Sequence, residues 1–201
     1  MFPNVSTGSD QVAISPELAR LRAEALACTS CALWKTRKHV VFGEGDSGAD
    51  LVIVGEAPGG DEDSSGRPFF GWSGGRLTDL LQVIGLDRAD VYITNVVLCW
   101  PPGNRRPKLA ARSACAHYLD AQLRLVRPRV VIALGLTATR RLLGGQTTVT
   151  AARGREYRVG DATIIPTFHP AAVNRRPERR QQVHDDFRRA RRALDGKLPA
   201  G

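Results

Sequence analysis

The sequence has no apolar run near the roughly 20 residues needed to span a bilayer, and its amino terminus lacks a charged-then-apolar signal pattern. A membrane partner and a secretory route are set aside, and a cytoplasmic monomer is expected. No internal repeat and no linker interrupts the 201 residues, which excludes a solenoid and leaves one well-buried domain. That domain should occupy 14–201, behind a flexible polar leader over 1–13. Lysine is scarce, since 25 of the 29 basic residues are arginine. Cysteine is equally scarce, with four and none left over, and disulfides do not suit a reducing compartment.

The charge present is strongly of one sign. A net charge of +9 and a pI near 10.1 point to a polyanionic partner, nucleic acid before an anionic membrane. Residues 174–194 carry eight arginines against Glu178, Asp185 and Asp186, a net +5 that is over half the total. Arginine is the side chain suited to phosphate forks.

Apolar runs at 51–54, 90–97, 129–134 and 162–168 read as strands buried on both faces. Helical patterns fall between and around them. Ser15-Pro16-Glu17 opens a helix to about Ala27. Further helices are expected over 73–85, 109–125, 136–143 and 177–194, with a weak strand pair over 147–159. The alternation predicts an α/β protein, a three-layer α/β/α sandwich around a mainly parallel central sheet.

Chemistry gathers at the strand ends. The run Leu51–Val54 breaks into Gly55-Glu56-Ala57-Pro58-Gly59-Gly60, a turn carrying a carboxylate where open α/β sheets place their ligand sites. Asp61, Glu62 and Asp63 follow, then Phe69 and Phe70 after Gly66-Arg67-Pro68. The acids could be a solvated loop, and the phenylalanines could be core. Asn95 lies within an apolar strand, either as a satisfied core amide or as a group able to read a base edge with donor and acceptor on one side chain. His169 follows another strand and precedes Pro170, which suits a structural ring or an electrophile. The cysteines are spaced C-x2-C-x67-C-x15-C (Cys28, Cys31, Cys99, Cys115). They are either four inert buried thiols or a four-thiolate structural site for zinc or an iron–sulfur cluster.

Six motifs in this order resemble the family-4 uracil-DNA glycosylases. They are Gly55-Glu-Ala-Pro-Gly59, Glu62-Asp63, Gly66-Arg-Pro-Phe69, Tyr92-Ile-Thr-Asn95-Val, Cys99-x-Pro-Pro-x-Asn104-Arg105 and Phe168-His-Pro170. The resemblance runs from about Cys28 to the last helix. It implies hydrolysis of the N-glycosidic bond of uracil in single- or double-stranded DNA, with base flipping and an abasic product. Cys28, Cys31, Cys99 and Cys115 would hold a [4Fe-4S] cluster, with zinc as the alternative. Phe69 would stack on the flipped base, Asn95 would bond the uracil edge, and Glu62 would crowd the C5 side. His169 would stabilise charge developing on O2. Glu56 would hold the attacking water or the oxocarbenium-like sugar. Ala57 stands where a related branch carries a water-activating Asp. Asn104, Arg105 and Arg175 would contact DNA.

Two departures from the family pattern bear on the substrate. Ala171-Ala-Val-Asn-Arg175 replaces the bulky pair after His-Pro, so strand insertion would rest on Val173. Trp72 stands where a small or basic residue is usual. Three other readings are a sister family acting on hypoxanthine or ethenocytosine, a covalent variant, and a non-catalytic DNA-binding module with structural zinc. Glu56 argues against the sister family. The absence of His and of an insertion between Asn95 and Pro107 argues against the covalent variant.

Overall fold

The computed structural model describes residues 15–173, 176 and 178–196. Its strands are β1 (Glu44–Gly45), β2 (Leu51–Gly55), β3 (Tyr92–Asn95), β4 (Val130–Leu134), β5 (Tyr157–Val159) and β6 (Ala162–Thr167). They form one sheet in the order β1-β3-β2-β4-β6-β5. The pairs β3/β2, β2/β4 and β4/β6 are parallel, and β1 and β5 close the edges antiparallel. The sandwich expected from the apolar runs is the one observed.

Strand alternation divides the core. Val52, Val54, Val131, Ala133 and Ile164 point to one face. There they meet α1 (Pro16–Leu26) and α4 (Leu109–Val126) through Leu18, Ala25, Tyr118 and Leu119. Leu51, Ile53, Val130, Ile132, Leu134 and Ile165 point to the other face. On that side lie α3 (Trp72–Val83), through Leu77, Leu80 and Leu81, and α8 (Arg179–Leu194), through Val183, Phe187 and Ala190. Residues that alternate with period two must serve two layers, which is why the runs carry no polar side.

Local signals explain most element ends. The Ser15 hydroxyl accepts from the Leu18 N–H at 3.2 Å, with Pro16 at the first helical position. Two segments differ from expectation. Residues 147–159 do not form a strand pair: Val149–Ala152 is a helical turn, α6, because the Thr148 hydroxyl caps the Ala151 N–H at 3.2 Å. Only β5 is extended, and it pairs with β6. The acid run is not a loop but α2 (Gly60–Ser65), whose first turn carries all three acids, where the helix dipole favours them. Two short helices complete the set, α5 (Gly135–Leu143) and α7 (Pro170–Val173). Among the described residues no helix is long and apolar enough to cross a membrane. The expected leader and Arg175 lie outside the described residues.

Candidate active site

All four central strands run parallel, so their carboxyl ends share one edge. A cleft of about 360 Å³ opens there. Glu56 follows β2, Asn95 ends β3, Gly135 follows β4 and His169 stands two residues beyond β6; all four line the cleft. So do Ala57, Glu62, Phe69, Asn104 and Arg105. Chain order carries β2 first to β3 on one side and later to β4 on the other, the switch at which such sheets bind ligands.

Asn95 is 2% exposed and registers opposite Gly55. Among the described residues no group hydrogen-bonds its side-chain amide, so its donor and acceptor remain available to a ligand. Gly55 creates that space: a Cβ there would sit 2.2 Å from Asn95 Oδ1 and 2.7 Å from Phe69 Cζ. The Phe69 ring lies beside this amide and stacks on His169 with centroids 5.5 Å apart.

Phe69 has a left-handed backbone, φ +49°, which costs a non-glycine residue about 1 kcal/mol. Two side chains bracket it. Glu62 Oε1 accepts the N–H groups of Phe70 at 3.0 Å and Gly71 at 3.2 Å, while Oε2 accepts that of Gly59 at 2.9 Å. From the other side Arg88 donates to the Phe69 carbonyl at 3.2 Å and the Pro68 carbonyl at 2.8 Å, and pairs with Glu44. Both Glu62 oxygens are therefore committed to the loop that presents Phe69. Asp63, 1% exposed, performs the same service for the loop at 38–39 by accepting the Lys38 and His39 N–H groups. Of the three acids only Asp61 is solvated.

The His169 ring is defined by what it accepts. The Ala171 N–H donates to Nδ1 at 3.2 Å, so in the neutral ring the proton sits on Nε2. Burial pushes the pKa from 6.5 down to about 4, opposed by the charge of Glu62. His169 is thus a neutral N–H donor near pH 7.

Sequence reasoning missed Thr137 on α5. Its hydroxyl donates to Glu56 Oε2 and accepts from Arg106 Nε at 3.2 Å, which anchors the Glu56 carboxylate at the cleft. Trp100 was also missed: its indole N–H donates to Asn104 Oδ1 at 2.6 Å and fixes that side chain. Neither contact leaves a periodic or local signal.

Val173 is not brought to the cleft. It packs partly against the α3/α8 core and borders a separate hollow with Arg76, Leu80 and Pro170; Ala171 lines the cleft instead. The cysteines are brought together. Cys28, Cys31, Cys99 and Cys115 all line one small hollow between α1, α4 and the segment after β3. Arg37 donates to Cys99 Sγ at 3.3 Å, and the Leu98 N–H donates to Cys115 Sγ at 3.4 Å. Burial pushes the Cys115 thiol up to about 12, opposed by the Leu98 N–H and reinforced by the neighbouring cysteines. Among the described residues no three His, Cys, Asp or Glu are placed to hold one metal ion.

A strongly basic chain, a doubly wound sheet and a cleft pairing a free amide with a neutral histidine are the features that the comparisons with known proteins must account for. Residues 42–194 match the family model of the uracil DNA glycosylase superfamily. The chain is 44% identical over 168 residues to a type-4 uracil-DNA glycosylase of Thermotoga maritima, covering 82% of this chain and 88% of that one. A type-4 enzyme of Archaeoglobus fulgidus is 40% identical over 184 residues, covering 88% and 92%. A type-5 uracil-DNA glycosylase of Pyrobaculum aerophilum is 35% identical over 149 residues, covering 65% of each chain. The chain belongs to the uracil DNA glycosylase superfamily, and within it to the type-4 family.

Proposed function

We propose that this protein is a DNA-repair hydrolase that excises uracil from DNA and leaves an abasic site. The observation that carries the reading is the unpartnered Asn95 amide sharing one cleft with the Nε2–H of His169. Binding begins with extrusion of the nucleotide, which costs a few kcal/mol and favours a weakly paired uracil. Phe69 supports the flipped ring, and the Asn95 amide bonds the uracil edge. Cytosine reverses that donor–acceptor pattern and leaves a buried amide unpaired. Glu62 excludes bulk at C5 by its position and by fixing Phe69, since its oxygens are already occupied.

As the C1′–N1 bond breaks, its electron pair moves into the uracil ring and charge builds on O2. The His169 Nε2–H stabilises that charge without a proton being spent to make it cationic. Glu56, held by Thr137, orients the water that adds to C1′ and faces the positive charge growing on the sugar. Ala57 borders this position without a side chain able to act as base. Asn104 and Arg105 clamp flanking phosphates, with salt-sensitive affinity. Val173 lies on the adjoining segment, and Arg175, two residues further along the chain, would add a phosphate contact.

The four cysteines suit a [4Fe-4S] cluster better than zinc. Their thiols rim one hollow, and N–H and guanidinium donors are directed at sulfur, contacts that would tune cluster thiolates. Held by Cys28, Cys31, Cys99 and Cys115, such a cluster would be structural, tying α1 to the Pro-rich loop that carries Asn104 and Arg105. The protein acts as a cytoplasmic monomer on single- or double-stranded DNA.

The test is uracil release from uracil-containing oligonucleotides by the wild type and by Asn95→Asp, with hypoxanthine-containing DNA in parallel. Wild-type release of uracil, with the variant losing it and gaining cytosine release, is the expected result. Folded, metal-replete protein that yields no abasic product would refute the reading.

A further inference from the structure

Beside the active-site cleft lies a second one, of about 490 Å³, between the start of α4 and the end of α5. Arg106, Arg112, Arg140 and Arg141 line it, with Ser113 and Thr137, and no carboxylate does. We propose that this cleft seats a backbone phosphate of the DNA strand flanking the target nucleotide, an inference that rests on DNA being the substrate.

Three of the arginines are anchored in place. Arg140 is anchored by the carbonyls of Thr147 at 2.9 Å and Gln146 at 3.3 Å. Arg141 is anchored by the Ala116 carbonyl at 3.3 Å and by Asp120, the acid that offsets part of the local charge. Arg106 is anchored by the Thr137 hydroxyl at 3.2 Å. Arg112 is different: among the described residues no protein group hydrogen-bonds its guanidinium. The Nε atoms of both Arg112 and Arg141 are buried without an acceptor. Buried donors on charged groups need a partner of opposite charge. A planar fork of N–H groups matches phosphate oxygens.

Continuity with the active site selects the source of that phosphate. Arg105 lines the active-site cleft and the next residue, Arg106, lines this one. The Thr137 hydroxyl joins Glu56 in the first cleft to Arg106 in the second. A strand leaving the flipped nucleotide across these two arginines arrives at Arg112. The cleft would therefore extend the grip on DNA without touching the reacting base.

The experiment measures DNA affinity against salt for the wild type, Arg112→Gln and Arg112→Lys. Three DNAs are compared: a long strand with a central uracil, the same strand without uracil, and a short oligonucleotide with one phosphate on each side of the uridine. Arg112→Gln should weaken binding to both long strands alike, by roughly fivefold, and lower the slope of log affinity on log salt by about 0.7 to 0.9, one phosphate's worth. Arg112→Lys should keep most of the slope, and release from the saturating short oligonucleotide should be unchanged in both variants. A folded Arg112→Gln variant with the wild-type slope overturns the proposal, as does an equal loss on the short oligonucleotide. A third result against it is an Arg112 Nε–H resonance that shifts with inorganic phosphate but not with long DNA. Binding to uracil-free DNA reads the cleft even if uracil release fails, so the two readings fail separately.

Discussion

The Thr167 hydroxyl donates to Asp186 Oδ2 at 2.7 Å, joining the last residue of β6 to the middle of α8. Arg153 grips the same carboxylate with two bonds, at 3.1 Å and 3.0 Å, and Asp186 is 1% exposed. His169 lies two residues beyond Thr167, so this buried pair sets where β6 releases the imidazole that lines the cleft. Asp186→Ala strands the buried Thr167 hydroxyl and leaves the partly buried Arg153 guanidinium only the Gln182 carbonyl, and should cost about 3 kcal/mol. Thr167→Val removes one hydrogen bond and should cost about 1–2 kcal/mol, with a fall in kcat. Thermal melting and single-turnover uracil release check both. Wild-type melting in Asp186→Ala would show that the pair does not hold β6.

Glu62→Gln replaces an oxygen that accepts backbone N–H groups with an amide that can only donate. Either the Gly59 bond or the Phe70–Gly71 pair is lost, at about 1–3 kcal/mol. The bracket on the left-handed Phe69 loosens, so KM should rise and kcat fall together, by about tenfold or more. A variant impaired only in rejecting thymine would instead assign Glu62 to the C5 edge alone.

Gly55→Ala tests close approach. The added methyl would meet Asn95 Oδ1 and Phe69 Cζ at 2.2 Å and 2.7 Å, so one of the two must leave its position. Overpacking of this kind costs about 1–3 kcal/mol. Uracil release should fall far more steeply than the melting temperature, because whichever group moves is one that lines the cleft.

Burial holds the His169 pKa near 4 against an ordinary 6.5. In the window between those values the unfolded chain binds the proton and the folded protein does not. The stability this group contributes is therefore complete above 6.5 and is lost as pH falls toward the folded value. The release rate should show no acid limb near 6.5 and should decline only toward pH 4. A pH–rate profile of the wild type beside His169→Asn reads this, and a wild-type step at 6.5 absent from the variant would mean that a charged imidazole is required.

Cys99→Ser should remove the visible absorbance of anaerobically prepared protein and lower its melting temperature, while the α3/α8 side of the core remains packed. Colourless wild-type protein with one bound zinc would replace the cluster by the other metal.

The sequence by itself determined the layers of this protein. Strands such as Leu51–Gly55 and Val130–Leu134 must face two hydrophobic layers, and a run apolar on both faces has few other places to go. It also displayed Asn95, His169 and the four cysteines, because a polar group in an apolar run and a complete thiol set are visible without coordinates. Only the tertiary structure decided what those groups touch. Thr137 and Glu56 are 81 residues apart in sequence, and Thr94 and Gln122, bonded in the buried core, are 28 apart. Such contacts follow from strand order, and strand order leaves no mark on local periodicity. Glu62 shows the same limit at short range. Its place among three acids suggested a solvated loop or a wall of the pocket, and only the folded turn showed both carboxylate oxygens turned back onto the backbone that holds Phe69. Val173 moved the other way, from expected wedge to partial core, because α7 packs against α3 and α8 and leaves Ala171 at the cleft.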